Sequence, residues 1–282
     1  TTTADSSVAA GDYMYLDQKL EGSDVQSIQK GSSAARQVTL QFWIKLAVTG
    51  TYVVQLFDVD NSRHVVANYS VSSANTWEKK TITFPADTSG TFNNDNNKSL
   101  EVRWHFLGGS TYRGGTQATT WAGINAANML TGMGNAVSST GNNYLTGVQL
   151  EIGTIATEFD HKSYGEDLAK CQRYFFRFKN DAADHGHFVN ATSYGSTDQR
   201  GGSFNFPTTM RTSPSFSHSG TGNFQLLGLG SSITSIQIAD IGTSKSGCGL
   251  RVITGDTLTS GLSVNLRANN TANAHFDFSA EL

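Results

Sequence analysis

Strict alternation of apolar and polar residues is the feature that most restricts how this chain of 282 residues can fold. In the segment 38–46, apolar side chains at every second position alternate with Thr39, Gln41, Trp43 and Lys45. A period of two places successive side chains on opposite faces of a β-strand, so a half-buried strand is predicted here. Further strand patterns lie at 51–59, 64–71, 77–84, 100–107 and 142–152, with weaker ones at 13–16 and 25–29. Strands at this spacing are typical of a β-sandwich or jelly roll.

The second half of the chain contains shorter strand patterns separated by glycine-rich turns. They lie at 174–179, 187–194, 202–206, 215–219, 223–229, 235–239, 249–252, 263–268 and 274–278. Between the halves, Ser163 and Glu166 have the spacing of a capping box, which predicts the start of a short helix. The sequence therefore predicts an all-β protein with two β-sandwich, jelly-roll-like domains, 1–160 and 161–282, joined by a short helical connector.

The chain has two cysteines, which is too few for a scaffold held together by disulfides. Cys171 falls on the apolar face of the predicted helix beside Leu168, and it is expected to be a small buried residue. Cys248 could pair with Cys171 or remain free, and the sequence leaves both possibilities open.

Composition excludes several classes of function. Charged residues make up 15% of the chain, the formal net charge is −3, and the basic residues are scattered singly. A nucleic-acid groove needs a clustered basic surface, so no nucleic-acid partner is expected. The chain has neither a long apolar run nor a charged segment followed by an apolar one near its start. We therefore expect neither membrane insertion nor a signal peptide.

The segment 147–178, GVQLEIGTIATEFDHKSYGEDLAKCQRYFFRF, resembles a boundary found in bacteriophage tail-fibre and other virion appendage proteins. The first half resembles the carbohydrate-binding-module type of jelly roll that occurs in phage tail proteins. The segments that carry this second resemblance are 38–45, 50–52, 75–84 and 144–151. In the second half, the segment 206–214 is similar to a motif that follows the boundary in such proteins.

These resemblances imply a virion protein, part of a tail fibre or appendage, that attaches a phage to glycans on the host surface. They also imply a homotrimer that contacts other virion proteins. Jelly rolls of this kind often bind a structural calcium through an Asp in the last strand. Thr146 or Gly147 occupies that position here, so no calcium or other cofactor is expected.

Two alternatives from other classes remain open. One is a capsid decoration or head-fibre protein that binds no glycan, and the other is a polysaccharide depolymerase. A glycosidase needs two carboxyl groups about 5–10 Å apart in a cleft, and nothing distinguishes Glu101, Glu151, Glu158 or Asp160 from ordinary strand and turn acids. No nucleophile-elbow, zinc-protease or P-loop motif occurs either. A non-enzymatic protein is therefore expected.

Aromatic side chains are the natural candidates for a glycan site, because sugar rings stack on flat rings while polar groups hold the hydroxyls. Trp43, Trp77 and Trp104 are expected in the core. Trp121 and Tyr112 lie in the small-residue-rich segment 108–140 and are the predicted ligand platform. Arg113 and Asn125 could supply hydrogen bonds to the same ligand.

Two clusters could hold a metal ion. His185 and His187 are two residues apart, so on an extended strand their rings point the same way, and three copies around an axis could bind iron or a similar metal. The alternative is a pair of surface histidines in a polar turn. Asp58, Asp60 and Asn61 offer oxygen ligands that suit calcium, but a hairpin turn is the favoured interpretation.

Overall fold

The computed structural model describes residues 2–194, 197–227, 232–255 and 258–282 of the chain. Within these ranges the protein is all-β, as the sequence predicts, with seventeen strands and two short α-helices. The chain divides into two compact units, Thr1–His161 and Lys162–Leu282. Each unit has a hydrophobic core built from its own residues.

The first unit consists of two antiparallel sheets. Its strands are Tyr13–Glu21 (β1), Val38–Lys45 (β2), Gly50–Asp58 (β3), Arg63–Val71 (β4), Glu78–Phe84 (β5), Lys98–Gly108 (β6), Ala122–Gly123 (β7) and Tyr144–Ile152 (β8). Its helical segments are Gly22–Val25 (α1) and the 3-10 turns Gln26–Ile28, Ser110–Tyr112 and Ala126–Asn128. One sheet has the order β1-β6-β3-β4-β7 and the other has the order β5-β2-β8.

The strand predicted at 25–29 is wrong, because α1 and the following 3-10 turn occupy this segment. The amide of Gln26 donates a hydrogen bond to Gly22 O at 2.8 Å. An extended backbone would carry that carbonyl out of reach. Val25 and Ile28 are three residues apart, a spacing that fits a helical turn as well as an irregular strand.

The core of the first unit lies between its two sheets. Phe42 on β2 contacts Tyr69 on β4 and Trp104 on β6, with ring centroids 5.3 and 5.8 Å apart and nearly perpendicular rings. Leu40 and Ile44, at alternate positions of the same strand, are fully buried with Phe42. Burial of each such side chain contributes about 1.5–3 kcal/mol, so the alternation seen in the sequence is what joins the sheets.

The chain that follows β8 covers part of the outer face of the three-stranded sheet. Thr39 Oγ1 donates to Gly153 O at 2.7 Å, and the amide of Gln41 donates to Thr157 O at 2.8 Å. Thr39 and Gln41 are therefore buried, although they lie on the face opposite the core.

Three tryptophans were predicted to lie in the core. The prediction is confirmed for Trp104, which is 1% exposed, and it is wrong for Trp43 and Trp77. Trp43 and Trp77 are each 41% exposed. Trp43 lies on the outer face beyond the covered part, next to its exposed cross-strand partner Lys79. The period of two prevents it from sharing the inner face with Phe42.

A capping box opens the helix Tyr164–Gln172 (α2), as predicted. Glu166 N donates to the Ser163 hydroxyl at 3.3 Å, and Ser163 N donates to the Glu166 carboxylate at 3.0 Å. The prediction that Cys171 is buried is wrong, since Cys171 is exposed, and both it and Cys248 are free thiols. Helical spacing shows which residues share a face, but it does not show whether another element covers that face.

The second unit also contains two antiparallel sheets. Its strands are Phe175–Lys179 (β9), His187–Ser193 (β10), Asp198–Asn205 (β11), Ser215–His218 (β12), Phe224–Leu226 (β13), Ile233–Thr243 (β14), Gly247–Thr254 (β15), Ser263–Ala268 (β16) and His275–Ser279 (β17), with a 3-10 turn at Thr221–Asn223. The sheet orders are β13-β16-β10-β11-β15-β14 and β12-β17-β9. Residues 228 and 229 of the strand predicted at 223–229 lie outside the described residues.

Phenylalanine rings fill the space between the sheets of the second unit. Phe276 on β17 lies 4.9 Å from the rings of both Phe188 and Phe224. Phe278, two residues further along the same strand, stacks on Phe204 at 5.4 Å. The period of two therefore builds this core as it builds the first.

Candidate functional site

Strands β1, β6 and β3 bring polar and aromatic side chains together on the face of the five-stranded sheet that points away from the core. Tyr15 is the cross-strand partner of His105, and Arg103 is the partner of Gln55. Paired residues share a face, whereas the intervening residue Trp104 belongs to the core. The same periodicity that builds the core therefore assembles this outer surface.

An aromatic row crosses this face, formed by Tyr13, Tyr15, Phe57 and Tyr112 around Arg103. Tyr13 stacks on Tyr15 at 5.7 Å with the rings 10° apart, and Tyr112 meets Tyr13 edge-on at 5.0 Å. The Arg103 guanidinium lies 5.1 Å from the Tyr15 ring and 4.2 Å from the Phe57 ring. Tyr13 is 49% exposed, so the row is open to solvent at this end.

Arg103 is held in place by a buried carboxylate. Its Nε donates to Glu101 Oε2 at 2.7 Å, and Lys98 Nζ donates to Glu101 Oε1 at 2.9 Å. Burial acts to raise the pKa of Glu101, but the two cations outweigh it and hold that pKa below its ordinary value. Glu101 therefore stays ionised and compensates one of the two positive charges beneath the row.

A buried polar chain lies next to Arg103. The Gln55 amide donates to His64 Nδ1 at 2.9 Å, and Gln55 Oε1 accepts from His105 Nε2 at 3.2 Å. This arrangement assigns the ring protons to Nε2 of both histidines. His64 Nε2 and His105 Nδ1 are then a buried donor and a buried acceptor with no hydrogen-bond partner among the described residues. Such groups are suited to binding water or a polar ligand group.

Both histidines are neutral near pH 7. Burial, together with the positive charge of Arg103, lowers the pKa of His105 to about 3. Burial and Arg103 also lower the pKa of His64. The chain of hydrogen bonds through Gln55 therefore keeps its polarity over the physiological pH range.

The predicted platform residue Trp121 packs against the core instead of standing alone in its loop. Its indole N–H donates to Pro85 O at 2.8 Å, and its carbonyl accepts from Arg63 Nη2 at 3.2 Å. The ammonium of Lys30 lies 5.0 Å from the centroid of its ring. These contacts make Trp121 part of a buried ionic cluster.

Lys30 occupies an oxygen-lined position inside the first unit. Its ammonium lies 2.5 Å from Asp58 Oδ2, 3.1 Å from Asp87 Oδ2, 2.9 Å from Ser89 O and 2.8 Å from Gly90 O. This buried ammonium, rather than a metal ion, is the cation next to Asp58. Burial acts to raise the pKa of Asp87, but hydrogen bonds from Arg63, Ser89 N and Lys30 hold it below its ordinary value.

The turn that follows Asp58 is the favoured hairpin between β3 and β4. Asn61 N donates to Asp58 Oδ1 at 3.0 Å, and Asn93 N donates to Asp60 Oδ2 at 3.0 Å. Both acids are therefore used to fix the turn and its neighbouring loop.

The other predicted ligand residues divide between two environments. Tyr112 joins the aromatic row, whereas Arg113 donates to Gly108 O at 2.5 Å and to Met133 O at 2.8 Å. Asn125 Oδ1 accepts from Ala127 N at 3.1 Å and caps the 3-10 turn there. Arg113 and Asn125 thus hold the backbone of the segment 108–140.

The two candidate metal ligands have different surroundings. His185 precedes β10, and its Nδ1 lies 2.6 Å from Gln225 Nε2, whereas His187 begins the strand and its Nε2 lies 3.2 Å from Asn190 Oδ1. The two rings therefore have different hydrogen-bond partners within one chain, and the metal site built from three chains stays a prediction. Within the described ranges, no group of three or more His, Cys, Asp or Glu residues could hold a metal ion.

The sequence contained a signal for the row that its interpretation missed. Glu101, Arg103 and His105 are polar at every second position of an otherwise apolar strand, which places them together on one face. Their contact with Tyr15 and Phe57 depends on pairing between strands that are distant in sequence.

No protein-family model and no curated protein matches this chain. In the described part of the chain, none of the helices is long and apolar enough to cross a membrane.

We expect Lys30→Met to lower the free energy of unfolding by about 3–5 kcal/mol, because it leaves two buried carboxylates without their shared cation. Urea unfolding followed by tryptophan fluorescence measures the change. The double variant with Asp58→Asn is the matched control, and it should recover part of the loss. A stability equal to wild type for Lys30→Met alone would contradict the ionic cluster.

We expect the stability of the first unit to fall as the pH drops below about 6.5. The folded chain keeps His64 and His105 neutral, whereas the unfolded chain takes up protons at both. Each histidine lowers the free energy of unfolding by about 1.4 kcal/mol per pH unit between its unfolded-state and folded-state pKa values. For His105 this pH range extends down to about 3. Urea midpoints at several pH values measure the slope. His105→Gln should flatten it, while His161→Gln, at an exposed position, should not.

Proposed function

We propose that this chain is a non-enzymatic structural protein of a bacteriophage virion, a tail fibre or related appendage, that helps attach the particle to its host by binding cell-surface glycans. The resemblance of the segment 147–178 and of the jelly-roll motifs supports the virion assignment. The aromatic row supports glycan binding, and it carries the proposal because the exposed ring of Tyr13 stacks on Tyr15, which in turn contacts the fixed guanidinium of Arg103.

The row offers both parts of a sugar site. The exposed ring of Tyr13 can stack on the C–H face of a sugar, and Arg103 can donate to hydroxyl oxygens. Asp17, the cross-strand partner of Arg103, lies on the same face and can accept from hydroxyl groups. Because Glu101 and the neighbouring rings already hold Arg103, little side-chain freedom is lost on binding.

The ionisation state of Glu101 supports binding over cleavage. A depolymerase of the usual type needs one carboxyl group that stays protonated near neutral pH. Glu101, the carboxylate bonded to Arg103, is buried, is bonded to a second cation at Lys98, and has a pKa held below its ordinary value. It is therefore suited to holding Arg103 and not to donating a proton.

A homotrimer that contacts other virion proteins is part of this proposal. Ile155 is 78% exposed and Tyr164 is 82% exposed, so both side chains are available for contacts between chains. Sedimentation equilibrium should give three times the chain mass of 30.3 kDa. A monomer at all concentrations would contradict the trimer.

We expect Tyr13→Ala to weaken glycan binding by about tenfold or more, which corresponds to the loss of about 1.4 kcal/mol of stacking. A glycan array followed by calorimetric titration with the best ligand measures the effect. Tyr194→Ala, at an exposed tyrosine of the second unit, is the matched control and should bind as wild type does. If Tyr13→Ala binds glycan as strongly as wild type does, the aromatic row is excluded as the glycan site.

The alternative functions have their own outcomes. Absence of any glycan or envelope binding would favour the capsid decoration or head-fibre alternative, and release of reducing sugar would favour the depolymerase.

A further inference from the structure

A second group of aromatic side chains lies on the outer face of the three-stranded sheet β5-β2-β8. We call it the aromatic–lysine patch, and it consists of Trp43, Trp77, Tyr144, Lys45 and Lys79. Trp43 on β2 is the cross-strand partner of Lys79 on β5, and Lys45 on β2 is the partner of Tyr144 on β8. The rings of Trp77 and Tyr144 are 6.0 Å apart, so the patch is continuous across the end of the sheet.

The patch is open to solvent. Trp43, Trp77 and Tyr144 are exposed large aromatic residues, at 41%, 41% and 46%. The segment after β8 covers Thr39 and Gln41 on the same face but leaves the patch uncovered. An exposed group of rings of this kind marks a binding surface more often than an incidental feature of the fold.

A glycine holds the central ring of the patch in place. Gly147 lies at an irregularity of the β2–β8 ladder and has a φ of +58°. A Cβ at this position would lie 3.1 Å from Trp43 Cδ1. The indole of Trp43 therefore lies against the backbone of β8, which fixes its position and leaves its outer side free for a ligand.

The charges of the patch indicate the kind of ligand. Lys45 Nζ lies 5.6 Å from the centroid of Tyr144, and in the described residues neither Lys45 nor Lys79 has a carboxylate within ion-pair distance. Glu78, which adjoins Lys79 in sequence, is paired with Lys80 instead. Flat rings beside two uncompensated ammonium groups complement a sugar chain that carries negative charges.

We propose that the aromatic–lysine patch binds an anionic glycan, in which sugar rings stack on Trp43 and Trp77 while carboxylate, sulfate or phosphate groups lie near Lys45 and Lys79. This site goes beyond the proposed function, because it lies on the opposite sheet from the aromatic row and selects a ligand by charge. It does not depend on glycan binding at the row.

The test uses the full chain titrated with alginate, heparin and neutral dextran, with the intrinsic fluorescence of tryptophan as the signal. Alginate and heparin should change the fluorescence of the exposed Trp43 and Trp77, dextran should not, and the change should weaken as salt rises. Trp77→Ala should weaken alginate binding by about tenfold or more, and Lys79→Gln by about fivefold. Tyr194→Ala, at an exposed tyrosine of the second unit, should bind alginate as wild type does.

Several results would overturn the proposal. Equal binding of dextran and alginate would remove the selection by charge, and absence of binding to both anionic polymers would remove the site. If Trp77→Ala changes the sedimentation mass of the protein, the patch is a contact between chains. Should Trp77→Ala fail to fold, Lys45→Gln and Lys79→Gln decide the question, because both retain the rings. Alginate binding unchanged in these two variants would contradict the proposal.

Discussion

The structure of the first unit depends on one constraint: one face of each long strand must be buried against the opposite sheet. Phe42 meets Tyr69 and Trp104 across the gap between the sheets, and a shift of one residue in any strand would exchange its buried and exposed faces. Because each large buried side chain contributes about 1.5–3 kcal/mol, a shifted register would be strongly destabilised. The outer faces are then free to carry polar and aromatic groups. The aromatic row and the aromatic–lysine patch both lie there, so they are consequences of the same periodicity that builds the core.

A polar cluster completes what hydrophobic burial begins. Lys30 precedes β2, Asp58 ends β3 and Asp87 follows β5, so three segments that are distant in sequence meet at one ammonium. Arg63 supplies a second cation to Asp87, which balances two buried acids with two bases. A buried charge is tolerated only when its partners satisfy it. Trp121 lies over this cluster, which explains why its ring is tied to Pro85 and the core instead of serving as an open platform.

The sequence predicted the local pattern well and the long-range contacts poorly. The period of two identified most strands, and the spacing of Ser163 and Glu166 identified the helix start, because both depend on neighbouring residues only. Coverage of a face depends on segments from elsewhere in the chain, which is why Trp43 and Cys171 were placed in the core although they are exposed. Tyr15 and Arg103 were missed for the same reason, since their contact requires the pairing of β1 with β6. Lys30 had no local signal, because its two carboxylates lie far along the chain.

The two outer surfaces differ in how their positive charges are compensated, and this difference has consequences for recognition. In the aromatic row, Arg103 is bonded to Glu101, so an approaching ligand meets a fixed hydrogen-bond donor with little net charge. A neutral sugar hydroxyl suits such a donor, whereas an anion would also meet the field of the buried carboxylate. In the aromatic–lysine patch, Lys79 is exposed and has no carboxylate beside it in the described residues, so its field extends into solvent. Under the two proposals, one sandwich binds neutral and charged sugars on opposite sheets, with stacking supplied by similar rings and selectivity supplied by the neighbouring charges.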